Sequence, residues 1–94
     1  MKLKAFSILD TKTNAFAAPW FMPSTGLAVR VFTDVVNEPG NTINKHPEDF
    51  RLFQIGEWED GTGVFENIQP PLAIASAAEL KTPSSQLELL QRPS

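Results

Sequence analysis

The chain has 94 residues, a net charge of −3, 41% hydrophobic and 20% charged residues, and no cysteine. That length supplies a single core, because two would each approach the limit of about 40 residues below which domains rarely fold unaided. The missing cysteines exclude disulfides and thiolate metal sites. Seven Phe and two Trp are enough large apolar groups to fill one core, and no apolar run reaches the length of a signal peptide or membrane span. A soluble, unexported protein of a reducing cytoplasm is expected, with no membrane partner. Residues 1–45 carry five Lys/Arg against three Asp/Glu, and residues 46–94 carry three against eight. Overall acidity removes the simplest kind of phosphate-binding surface and leaves a local basic patch as the remaining form of it.

In chain order, residues 2–9 alternate as a strand, with Lys2, Lys4, Phe6 and Ile8 on one face and Leu3, Ala5, Ser7 and Leu9 on the other. Asp10-Thr11-Lys12-Thr13-Asn14 is rich in side chains that cap their own turn, so the chain is expected to reverse into a second strand over 15–19. Ser24 then suits a helix N-cap. Ala28, Val31, Phe32, Val35 and Val36 recur at helical spacing as one apolar stripe, and Asn37-Glu38-Pro39-Gly40 ends the helix. Its valines lower intrinsic helix propensity, so packing has to hold it.

Residues 41–49 read as a loop in which Pro47 opens one helical turn, with Glu48 and Asp49 against its N-terminal dipole. Residues 50–59 are the strongest strand in the chain. Asp60-Gly61-Thr62-Gly63 supplies a hairpin turn, and 64–68 returns as the partner strand. Pro70 and Pro71 interrupt that pattern, and 72–80 fits either an edge strand or a short helix on the sheet. The result is an α+β domain over 1–80, two β-hairpins forming an antiparallel sheet with one amphipathic helix between them (ββαββ). A flexible, disordered or partner-docking C-terminal tail occupies 81–94, where Leu87, Leu89 and Leu90 are the docking residues. Trp20, Phe21 and Trp58 exceed what one small helix covers, so a homodimer burying the second sheet face or an edge is expected.

The sequence holds no recognisable catalytic constellation. His46 with Glu48 and Asp49 is the one combination suited to zinc, but neighbourhood in sequence does not make a tetrahedron. The plainer reading has His46 shaping a loop, with its imidazole donating to a backbone carbonyl. No Ser lies in a nucleophile elbow. Glu57, Glu59, Asp60 and Glu66 cluster around the predicted hairpin turn as a solvated rim, and Gly61-Thr62-Gly63 lacks the Gly-Lys-Ser/Thr of a phosphate loop. No enzyme activity, metal or cofactor is expected. Single-stranded DNA binding is the chemical alternative, and it needs exposed aromatics beside cations. Its candidates are Lys2, Lys4, Lys12, Trp20, Phe21, Arg30 and Lys45.

Several segments together resemble the nonstructural protein of gokushovirus-type microviruses, small icosahedral phages with single-stranded DNA genomes. These are Met1-Lys2-Leu3 with Phe6 and Asp10, Pro19 with Phe21, the helical stretch 28–37, and above all Lys45-His46-Pro47-Glu48-Asp49-Phe50 running on through Leu52, Ile55-Gly56 and Asp60. The similarity extends from residue 1 to about residue 80. It implies a non-enzymatic protein made in the host bacterial cytoplasm and absent from the mature virion. It further implies action where genome replication passes to single-stranded synthesis and packaging, and the net acidity, surplus aromatics and absence of a site point to a replication or procapsid protein as partner. No functional residues carry over from the family.

Overall fold

The computed structural model describes residues 1–82, and the expectation of a tail over 81–94 lies, from residue 83 onward, outside the described residues. Lys2 to Asp10 form β1 (Lys2–Asp10), the strand on which the rest of the sheet is built, its two faces divided as the sequence predicts although Ala5, Phe6 and Ser7 are all buried. One edge of β1 pairs antiparallel with two short strands, β2 (Ala15–Phe16) and β3 (Trp20–Met22). The expected single return strand over 15–19 is thus divided. Ala17 donates its N–H to Ile8 and its carbonyl accepts the Ser7 hydroxyl at 2.6 Å, while Pro19 has no N–H to give a ladder, so pairing resumes only at Trp20. The other edge of β1 pairs with β4 (Phe50–Glu59), which in turn pairs with β5 (Phe65–Ser76), all antiparallel.

α1 (Thr25–Asn37) starts where predicted, with Ser24 Oγ accepting the N–H of Leu27 at 3.2 Å. Its stripe is narrower than the spacing suggests. Ala28, Phe32 and Val36 are buried against Phe6, Leu52 and Ala77, whereas Val31 is exposed and Val35 half-buried at the margin. The segment 41–49 is more ordered than a loop. Asn41 Oδ1 caps a short helix, α2 (Thr42–Lys45), through the N–H of Asn44 at 2.7 Å, and its amide donates to the carbonyls of Val35 and Glu38 at the end of α1. One asparagine therefore closes one helix and opens the next. Pro47–Asp49 forms the predicted turn as a 3-10 helix and leads directly into β4.

Past residue 71 both readings of the apolar run hold, one after the other. β5 reaches Ser76, and Ser76 then caps α3 (Ala77–Leu80), exchanging hydrogen bonds with Glu79. Within β5, Asn67 pairs with Gly56 and Leu72 with Gln54, so Ile68, Gln69, Pro70 and Pro71 stand outside the register. α3 is strapped to the helical layer: Asn37 donates to the Leu80 carbonyl, Lys81 Nζ to the Asn44 carbonyl at 2.6 Å, and the N–H of Thr82 to Asn37 Oδ1 at 2.7 Å. All three helices thereby cover one face of the sheet. The mixed α+β architecture with an antiparallel sheet is as the sequence predicts.

Candidate protein-interaction face

Cross-strand partners share a face, and the register therefore assigns every strand residue to the helical side or the open side. Phe6, Trp20, Leu52 and Gln54 lie on the helical side. Leu3, Ala5, Ser7 and Leu9 of β1 lie on the open side with Phe16, Phe21, Arg51 and Phe53. A shift in β4 changes this alternation: Gln54 pairs with Phe6 and Gly56 with Ala5, leaving Ile55 as the extra residue of a β-bulge. Beyond it the even-numbered residues face the open side. Trp58, paired with Leu3 and Phe65, so joins Phe53 instead of opposing it.

The open face therefore carries five aromatic rings in two groups. Phe16 meets Phe53 edge-on at 5.5 Å, and Phe21 lies 5.8 Å from Trp58 and 6.4 Å from Phe65. Phe16, Phe21 and Phe65 are each more than 40% exposed, so the rings lean on one another but nothing in the chain's described part covers them. Gly56 makes the second group possible. A Cβ there would come within 2.5 Å of the Phe65 ring and 2.6 Å of the Glu66 carbonyl oxygen, so the ring occupies the space of the missing side chain. The cross-strand pairing places a single cation, Arg51, on this face among the described residues.

The predicted basic-aromatic residues are spread over the molecule. Phe21 alone is on the open face. Lys2 sits on the helical side 3.9 Å from Glu57, in a cleft of about 250 Å³ whose lining includes Glu57, Glu59 and Glu66. Lys4 donates to Thr25 Oγ1 at 3.4 Å, and Trp20 is half-buried 6.1 Å from Phe6, its indole N–H without a partner among the described residues. Lys12 is exposed in the β1–β2 turn, Arg30 on the outer side of α1, and Lys45 at the end of α2. Sequence reasoning singles out none of Arg51, Phe53 and Phe65. Alternation through Arg51 and Phe53 is the signal that points to the first two, while the bulge hides the partnership of Phe65 with Trp58.

The acidic rim is where the turn chemistry places it. Glu59 Oε1 accepts from the N–H of Gly61, and Gly63 adopts a φ of +73°, a conformation that favours glycine. The Met1 ammonium donates to Glu59 Oε1 and Asp60 Oδ1, each at 2.7 Å, which raises the amine above its ordinary pKa and lowers both carboxyls below theirs. His46, Glu48 and Asp49 bring one donor atom each within 4.8 Å of one another, the first two exposed and Asp49 half-buried. The expected bond from the imidazole to a backbone carbonyl is not made among the described residues; Nδ1 lies instead 4.0 Å from Glu48 Oε1. A second apolar hollow lies between α1 and the sheet edge, lined by Ile8, Trp20, Val31, Phe32 and Val35. No helix among the described residues is long and apolar enough to cross a membrane.

Fold and face together define a small α+β protein with one helical layer and an aromatic sheet surface that the described residues leave uncovered. The sequence model of the family described as Phage ORF5 protein matches residues 3–80, and the chain belongs to that family. It is a phage protein of accessory character. No curated protein and no solved structure matches it.

Proposed function

We propose that this chain is a non-enzymatic accessory protein of a gokushovirus-type microvirus, acting through protein–protein contact in the host cytoplasm where genome replication passes to packaging. The observation that carries the reading is the open sheet face, with five aromatic rings and one cation among the described residues. Apolar surface of that extent on one side of a two-layer fold is the usual mark of a partner surface. The resemblance of Lys45-His46-Pro47-Glu48-Asp49-Phe50 to the microvirus hallmark supports the setting, and the partners it suggests are the phage replication initiator or a procapsid component.

The test is affinity capture of the tagged protein from phage-infected cells, comparing the wild type with Phe21→Lys. Recovery of the replication initiator or a capsid component by the wild type, reduced at least tenfold in the variant, is expected. Recovery of neither by the wild type overturns the reading.

Exposed rings on a sheet are also what single-stranded DNA stacks upon, and this favours a second reading as a DNA-binding protein. Against it stand the dispersal of Lys2, Lys4, Lys12, Arg30 and Lys45 and the lone Arg51 on the face. Binding of an oligo(dT) at low salt, weakened as salt rises and lost in Phe21→Ala, would put the second reading first.

A further inference from the structure

We infer that the open face is closed by a second copy of this chain, the two sheets stacked about a two-fold axis that lies between them and runs across the strands. The inference rests on the reading of this face as a protein-binding surface and gives it a second copy of the chain as occupant, in competition there with the phage partner proposed above. Its size fits. β4 has 10 residues, about 33 Å at a strand's rise, and four strand positions side by side span about 19 Å, giving a face of about 600 Å² in projection. Side chains roughen that projection toward the roughly 800 Å² per partner of a stable complex. Two sheets stacked face to face with strands nearly aligned, their inner side chains meeting over about 10 Å, are a standard packing.

The charges choose the orientation. Arg51 is exposed at one end of β4, and at the other end Asp60, 47% exposed, follows Trp58 in the alternation; with Glu59 it shares the single Met1 ammonium, so that end keeps a net negative charge. An axis parallel to the strands would bring Arg51 against Arg51. An axis across the strands reverses β4 of the second copy, so each Arg51 approaches the other copy's Asp60, at both ends of the interface. The same operation lays the Phe16 and Phe53 group over the Phe21, Trp58 and Phe65 group of the partner copy. An isologous contact of this kind closes after two copies and leaves no aromatic surface to propagate. The face has apolar rings at its centre and opposite charges at its rims, the distribution found in interfaces between proteins.

Sedimentation equilibrium of the full chain tests it. The expected mass is twice the 10.4 kDa of the chain, with Phe21→Lys and Arg51→Glu each raising the dimer dissociation constant at least tenfold. Arg51→Glu combined with Asp60→Lys should recover most of that loss. The helical signal in circular dichroism confirms that each variant remains folded, since Phe21, Arg51 and Asp60 are all exposed. A wild type that stays monomeric at millimolar concentration overturns the inference, as does a dimer indifferent to Phe21→Lys or a charge swap without recovery. These outcomes are separable from failure of the proposed function. A monomer that still captures the replication initiator or a capsid component, and loses it with Phe21→Lys, keeps the face as a partner surface and removes only the second copy from it.

Discussion

Gly56 shows how one residue's missing side chain arranges a surface. With the Phe65 ring and the Glu66 carbonyl where a Cβ would be, Gly56→Ala must displace backbone as well as a ring. It is expected to destabilise the chain by about 1–3 kcal/mol, read as a fall in the thermal midpoint. An unchanged midpoint would mean that the ring does not lie over Gly56. The Met1 ammonium gives a second residue-scale expectation. Its raised pKa makes its contribution complete below about pH 8, its usual value, and lost as pH rises through the raised one. The lowered carboxyls of Glu59 and Asp60 contribute fully above their usual values near 4 and lose that contribution as pH falls through the lowered ones. Acetylating the amine should therefore lower the thermal midpoint between about pH 5 and 8 and make little difference at either extreme. The effect is small, because all three groups are solvated.

At the scale of elements, legibility followed how local the determining physics is. β1, α1 and β4 were readable because alternation, an N-cap and a proline stop are written into consecutive residues. α2 was missed because its signal is a lone Asn41, whose side chain serves two helices at once, a relation visible only once α1 has ended beside it. The division of the first return strand depends on Ser7 reaching the Ala17 carbonyl across the ladder. Asn41→Ala should cost about 1–2 kcal/mol in chemical denaturation, in the range of a lost cap. Asn41→Asp should cost less, since its carboxylate still accepts from Asn44 but no longer donates to Val35 and Glu38. Equal losses from both would show that the cap on α2 contributes little.

For the molecule as a whole, the sheet class and the surplus of aromatics were legible, and the candidate face was not. Phe21 and Trp58 stood out by size, but β4 is bulged at Ile55, and a strict period of two would have set Trp58 against Phe53. The basic-aromatic grouping drawn from the first half of the sequence took nearness along the chain for nearness in space. Lys4 and Phe21 belong to paired strands yet project from opposite faces. If a second copy covers the face, stability must depend on concentration. The thermal midpoint of the wild type should rise by several degrees between about 1 and 100 µM, and that of Phe21→Lys should stay flat. A flat wild-type profile would argue for a self-sufficient monomer.

The pairing of β1 with β4 also bears on how the chain comes to be made. Lys2 opposes Glu59 and Asp10 opposes Phe50, so the central ladder joins one strand to another that leaves the ribosome some forty residues later. At about 5–20 residues per second the apolar side chains of β1 wait several seconds for their partner, with only the short β2 and β3 and then α1 for company. Contacts so distant in sequence slow folding, and a strand held open that long is a target for chaperones and for stray pairing. Lys2 and Lys4 at the start of β1, the first exposed and the second half-buried in the folded chain, are of the kind that guards such a strand while it waits.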